Sequence, residues 1–217
     1  HEANRVIEAR RPEALGPVPD EHGTGFAVFS SPAERVELCL FDADGAAAAR
    51  FDLVRDDDGV WFGYLPGCAT GQRYGYRVHG PYDPERGLRC NPQQLLIDPY
   101  ARRLHGEFRW QQAVFDGNDL DSAACVPHSV VTARGEPAAE QRPAIPWDEA
   151  VFYEANVRGF TMRHPALEES ERGTFAGMTN GAVLEHLKAL GVTSIELMPV
   201  HAFIDEHFLS QRGLSNY

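Results

Sequence analysis

The seven residues Arg73–His79, RYGYRVH, decide how the first half of the chain is read. Tyr74, Tyr76 and Val78 alternate with Arg73, Gly75, Arg77 and His79. A period of two marks a strand with one face in a core and the other in water. Working outward, Thr24–Ser30 (TGFAVFS), Arg35–Phe41 (RVELCLF), Arg50–Val54 and Val60–Leu65 (VWFGYL) read as further strands. Turn chemistry separates them at Asp42–Gly45, Asp56–Gly59 and Pro66–Gly71. Short strands at this spacing, with no helical pattern between them, predict an antiparallel sandwich of about 100 residues.

The pattern changes further on. Val151–Val157 (VFYEANV) is a mostly apolar run rich in β-branched and aromatic residues. Ala182–Leu190 (AVLEHLKAL) places Val183, Leu184, Leu187 and Leu190 on one helical face, with Thr179 or Asn180 to cap its start and Gly191 just past its end. Val192–Met198 (VTSIELM) is a second apolar strand, stopped by Pro199. Strand, helix, strand in that order is a βαβ unit, which implies parallel pairing and a right-handed crossover. The expected plan is a polar tail over 1–14, the sandwich over 15–106, an irregular connection over 107–149 and the βαβ segment over 150–217. The connection holds Trp110, Phe115 and Trp147, which need burial, and an Ala/Pro/Glu-rich stretch ending at Pro143.

The chain has 217 residues, 43% hydrophobic and 24% charged, too apolar for a disordered segment. Its 20 Lys+Arg against 32 Asp+Glu leave a net charge of −12, and no basic stripe offers itself to phosphates, so nucleic acid is not an expected partner. No stretch approaches the roughly 18 apolar residues of a membrane helix, so no membrane partner is expected. His1–Arg11 carries no apolar secretory core, and a cytoplasmic localisation is expected. Cys39, Cys68, Cys90 and Cys125 are widely spaced, with no CxxC pair and no His at metal spacing. They read as free, mostly buried thiols, and neither a metal nor a cofactor is expected.

Two blocks of sequence, in order, carry a resemblance. Tyr153–Pro165 (YEANVRGFTMRHP), Gly173–Gly177 (GTFAG), His186–Phe203 (HLKALGVTSIELMPVHAF) and Arg212–Tyr217 (RGLSNY) resemble bacterial glycogen debranching enzymes of the isoamylase type, in glycoside hydrolase family 13. Upstream, Gly71–Arg102 (GQRYGYRVHGPYDPERGLRCNPQQLLIDPYAR) is similar to the family 48 carbohydrate-binding module of the same enzymes. The resemblance implies a mainly β chain: an N-terminal antiparallel β-sandwich, immunoglobulin-like, followed by the first βαβ unit of an incomplete (β/α)8 barrel. A closed barrel takes about 250 residues, more than this whole chain.

The activity so implied is hydrolysis of α-1,6-glucosidic branch points in glycogen or limit dextrin. It proceeds by a retaining mechanism with two carboxylates about 5–5.5 Å apart. In the family the acids come from later barrel strands, so no catalytic residue is expected in this chain and the chain alone is expected to be inactive. Glu154, Glu196 and Glu168–Glu171 are read structurally: Glu154 as a hydrogen-bonding partner of Arg158 or a nearby loop, the acidic run as a solvated face. Substrate-binding candidates are His201, just past the carboxyl end of the second strand, and Tyr82, near where glycan-binding members of the module carry a stacking Trp. Trp61, Tyr64, Tyr74 and Tyr76 are also aromatic, but Trp61 and the alternating tyrosines are read as core. Expected partners are glycogen, limit dextrin or another branched α-glucan, with self-association through the open strand edges of the partial barrel. A non-catalytic carbohydrate-binding or scaffold module is the second reading. A truncated maltooligosyltrehalose trehalohydrolase or branching enzyme is the third.

Overall fold

A computed structural model of the chain describes residues 6–133, 135 and 143–216. Within the expected tail, residues 1–5 lie outside the described residues, as do residues 136–142 of the Ala/Pro/Glu-rich stretch. Two compact units divide the chain, His1–Glu136 and Pro137–Tyr217.

The first unit is mainly β. Its strands are β1 (Gly16–Pro19), β2 (Gly23–Phe29), β3 (Arg35–Phe41), β4 (Ala47–Asp52), β5 (Val54–Arg55), β6 (Val60–Pro66), β7 (Arg73–His79), β8 (Tyr82–Asp83), β9 (Leu88–Arg89), β10 (Leu104–His105) and β11 (His128–Val130). They form one sheet in the order β1-β2-β6-β5, a second in the order β10-β11-β7-β3-β4, and a small β8–β9 hairpin. Every pairing in this unit is antiparallel. The single run read over Arg50–Val54 is two strands in different sheets. Leu53, buried and donating its N–H to the Val36 carbonyl, is where the chain crosses from one sheet to the other.

The alternation in β7 and β3 sets the core. Val36, Leu38 and Leu40 lie opposite Val78, Tyr76 and Tyr74, and all six point to the same side. There they meet Phe26, Val28, Trp61 and Leu65 of the other sheet. Phe26 and Tyr74 contact edge to face, with ring centroids 5.0 Å apart. Burying side chains of this size stabilises by about 1.5–3 kcal/mol each.

The other face of β7 is not in water, contrary to the expectation from its polar residues. Arg77 is 2% exposed, and Cys39 and Phe41 beside it are buried. Chain from the 92–126 region lies over them: Leu95, Ala123 and Val126 pack on Cys39 and Phe41. Arg77 donates from Nη1 to the Pro92 and Gln93 carbonyls (2.8 and 3.0 Å) and from Nη2 to Asp121 Oδ1 at 2.6 Å. Gly75 makes the close approach possible, because a Cβ there would sit 2.9 Å from Leu95 Cδ1 and 3.0 Å from the Leu96 carbonyl. Leu96 exchanges backbone hydrogen bonds with Tyr76, 2.8 and 2.9 Å long. The stretch read as an irregular connection also supplies β11, which pairs with β7 at Ser129↔Tyr74.

The second unit contains β12 (Phe152–Ala155), α1 (Val157–Thr161), α2 (Phe175–Met178), α3 (Gly181–Ala189), β13 (Ser194–Leu197) and α4 (His207–Ser210). β12 and β13 are parallel, in the register Phe152↔Ser194 to Ala155↔Leu197. The predicted strand over Val151–Val157 stops at Ala155 because Asn156 caps α1, its side chain accepting from the Gly159 N–H at 2.8 Å. α3 is capped by Asn180, whose side chain accepts from the Ala182 N–H, and ends before Gly191 at φ +77°. Val183 and Leu187 bury themselves with Leu167, against Tyr153, Phe160 and Val192. Leu184 and Leu190, expected on the same face, stay 37% and 56% exposed.

Asp20 gives the fold a measurable pH signature. Its Oδ1 accepts from Tyr64 Oη at 2.6 Å and from the N–H groups of His22 and Gly23, while Arg10 donates to Oδ2. These interactions, the Tyr64 hydrogen bond foremost, lower its pKa from the ordinary 3.8 to about 2. Because the folded-state value is the lower one, the contribution is full above about pH 3.8 and disappears as pH falls through about 2. The urea midpoint of the chain therefore falls across that window, and Asp20→Asn removes this component while lowering the midpoint at pH 7.

Candidate functional site

The aromatic residues of the sandwich are the first place to look for a sugar platform, since pyranose faces stack on exposed rings. Most are committed elsewhere. Tyr74 and Tyr76 point their hydroxyls at Asp98 Oδ2 (2.7 and 3.4 Å), and Asp98 is itself 2% exposed. Burial raises the pKa of all three groups, so the phenols stay protonated and donate to the carboxyl group between them. Trp61 donates its indole N–H to the Ser30 carbonyl, and Tyr64 is covered by the Arg10 guanidinium, 3.2 Å from the ring centroid. All four are buried, as the alternation required of Tyr74 and Tyr76 and as expected of Trp61.

Tyr82 differs from them. It sits in β8 opposite Arg89, 46% exposed. The hairpin turns through a short 3-10 segment, Pro84–Arg86, and Gly87 at φ +77°. Asp116 holds both strands of the hairpin. Its Oδ1 accepts from Tyr82 Oη at 2.8 Å and from the Gly117 N–H at 2.9 Å, and its Oδ2 pairs with Arg89. The phenol is thus tethered by its hydroxyl with the ring left at the surface. The sequence reading missed this tether; the Asp116–Gly117 pair, with its turn chemistry, was the local signal for a fixed carboxylate.

Arg77 and Asp121 are the other polar pair sequence reasoning missed. Burial works against the Asp121 carboxylate, but the Arg77 hydrogen bond and the Ala123 N–H outweigh it and bring its pKa below the ordinary value. Their geometry is that of a clamp closing chain over a sheet face, with no opening toward a ligand. The early loop at Asp42–Gly45 is braced from within, Asp42 Oδ1 accepting from the Asp44 and Ala46 N–H groups.

In the second unit, the carboxyl ends of β12 and β13 lie together, and Met198 N–H donates to the Ala155 carbonyl at 3.0 Å. His201 follows three residues later, exposed. Asp205 accepts from the Asn216 N–H, and Asn216 accepts from Glu206 N–H, which closes the chain around α4. Glu154 and Glu196 are paired in register on the two parallel strands, both exposed. The expected bond from Arg158 to Glu154 is not made: among the described residues neither glutamate has a hydrogen-bond or ion-pair partner. The structure keeps Tyr82 and His201 in different units, and each stands by itself as a candidate.

Among the described residues no group of three or more His, Cys, Asp or Glu is placed to hold a metal ion, and no helix is long and apolar enough to cross a membrane. None of the four cysteines is in a disulfide; Cys90 is half-buried and Cys39, Cys68 and Cys125 are buried.

With this geometry in hand, comparison with known proteins is direct. Residues 14–101 match carbohydrate-binding module 48, the isoamylase N-terminal domain. The chain is 46% identical over 217 residues to a glycogen debranching enzyme of Yersinia pseudotuberculosis serotype IB, covering 98% of this chain and 33% of that protein. It is 43% identical over 215 residues to the glycogen operon protein GlgX homolog of Mycobacterium tuberculosis H37Rv, covering 94% of this chain and 30% of the relative. The crystal structure of the pullulanase SAP of group B Streptococcus in complex with maltotetraose superposes with a TM-score of 0.65 at 25% identity, over 91% of this chain and 25% of that one. The chain spans about a third of the length of the curated relatives it matches. Residues 14–101 therefore match the carbohydrate-binding module 48 family model, and the chain that carries them is similar to about a third of the length of bacterial glycogen debranching enzymes.

Proposed function

We propose that this chain forms the sandwich module and the opening βαβ unit of a (β/α)8 barrel in a cytoplasmic enzyme that hydrolyses α-1,6 branch points of glycogen or limit dextrin. The observation that carries the reading is the parallel β12–β13 pair joined through α3, directly after an antiparallel sandwich. Phe152, Ile195, Leu197 and Met198 on and beside these strands are all more than a third exposed. An apolar parallel pair is stable when both faces are covered, so further strands and helices are the natural complement. Hydrolysis with retention needs an attacking carboxylate and a protonating one. In this reading both belong to other barrel strands. Glu154 and Glu196 sit too early in the barrel for those roles.

His201 is assigned to the sugar-binding end of the barrel, because it follows the carboxyl end of a parallel strand, where barrel enzymes build their sites. Tyr82 is assigned as a glucan contact on the sandwich, because its ring is exposed and its orientation is fixed by Asp116. A chain left without the rest of the barrel would self-associate through the open edges of β12 and β13.

Three outcomes follow. The purified 217-residue polypeptide releases no linear chains from amylopectin, whereas the same chain extended through a complete barrel does; release by the short polypeptide contradicts the assignment. In the extended enzyme, His201→Ala lowers kcat/KM on limit dextrin. Tyr82→Ala there raises KM for the polymer and leaves kcat for a short branched oligosaccharide unchanged. Unaltered constants for either variant remove that residue from the site.

A further inference from the structure

A depression of about 300 Å³ opens on the sandwich unit between the β3–β4 turn, the start of β7 and β10–β11. Its charged and imidazole groups are Arg73, Arg109, His105, His128, Asp44 and Glu107. Arg10, Arg11, Arg35, Arg77 and Arg89 all pair with carboxylates. Among the described residues, Arg73 and Arg109 have no carboxylate partner. Arg73 Nη2 lies 2.6 Å from His105 Nε2, where the imidazole accepts, and Arg109 Nη2 donates to the Ala124 carbonyl at 2.7 Å. Each guanidinium carries five N–H donors, so both keep donors and a full charge for a ligand.

The walls are firm. His128 is 7% exposed, stacks on Phe41 with centroids 3.8 Å apart, and commits Nε2 to the Ala123 carbonyl at 3.1 Å. Gly45 closes one side at φ +88°, where an added Cβ would come within 3.5 Å of Arg73 Nη1. Burial, together with the charge of Arg73 and the nearby His105, keeps the His128 imidazole below its usual pKa, which is the response expected beside positive charge. Asp44 and Glu107 are exposed and also line the depression, as hydrogen-bond acceptors. A bare anion has no use for them, whereas a ligand with both a phosphate and hydroxyl groups does.

We propose that this depression binds a phosphate monoester of a hexose, free or carried on a glucan chain. The phosphate oxygens meet Arg73 and Arg109 in charge-assisted hydrogen bonds, and the sugar hydroxyls donate to Asp44 and Glu107. Such a site would let the sandwich sense a phosphorylated sugar without touching the bond-breaking chemistry.

Isothermal titration of the chain with glucose 6-phosphate, inorganic phosphate, glucose and phosphorylated maltodextrin tests it. Glucose 6-phosphate is expected to bind with a Kd of about 1 mM or tighter. Inorganic phosphate is expected to bind more weakly, and glucose without measurable heat. Arg109→Gln, at an exposed position, and Arg73→Gln each weaken binding at least about tenfold. Arg86→Gln, on the exposed 3-10 turn, leaves it unchanged. Tighter binding of phosphorylated maltodextrin assigns the polymer as the source; equal or weaker binding assigns the free sugar phosphate. The proposal is overturned by absence of saturable glucose 6-phosphate binding, by binding that survives Arg109→Gln, or by glucose binding as well as its phosphate.

Discussion

Strand β7 is buried on both faces, and the rest of the first unit is arranged around that constraint. On one side Tyr74 and Tyr76 complete the core between the sheets. On the other, a buried guanidinium must find partners for its charge, because an unpaired buried charge is costly. Arg77 finds them in Asp121 and two carbonyls, all on the chain that lies over the sheet. The cover is therefore held by charge as well as by Leu95 and Val126, and Gly75 leaves room for it. Replacing Arg77 alone would remove three hydrogen bonds that tie the cover to the sheet and leave two carbonyl groups without this donor.

This arrangement has a functional consequence. A sheet face sealed by its own chain offers no flat platform to a polysaccharide, and the core tyrosines spend their hydroxyls on Asp98. Among the described residues of this unit, Phe29, Tyr82 and Tyr100 keep exposed rings, and the polar depression beside Arg73 is open. The second unit has the opposite character. Its cluster of Leu167, Val183 and Leu187 is small, and much of the apolar surface of β12 and β13 is left uncovered. One unit is closed on itself and the other leaves apolar strand surface open, in keeping with the proposed function.

Much of this was legible in the sequence, for local reasons. β7 has the bounds its period of two implied, β3 has the bounds read for it, and α3 is capped by Asn180 and stops short of Gly191. β1 escaped notice because Gly-Pro-Val-Pro reads as turn; its prolines are tolerated because it is an edge strand. β11, three residues long, has too little pattern of its own and exists because β7 offers it a ladder. α1 was hidden inside an apolar run, although Asn156 with Gly159 three residues on was a usable cap signal. The sealed face was not legible at all. Arg73, Gly75, Arg77 and His79 look solvated in one dimension, and the Arg77–Asp121 contact spans more than forty residues of chain. Of the candidate site residues, Tyr82 could be named from the motif around it, but its tether to Asp116 is again non-local.

Native-state hydrogen exchange of the sandwich unit tests the two-sided burial of β7 most directly. If the cover is integral to the fold, the amides of Leu96 and Tyr76, which bond each other's carbonyls, exchange with the same opening free energy as the amide of Leu38 in the neighbouring strand. If Leu96 and the chain around Asp121 exchange orders of magnitude faster than Leu38, the cover opens independently, the outer sheet face is accessible, and the account of this module is wrong.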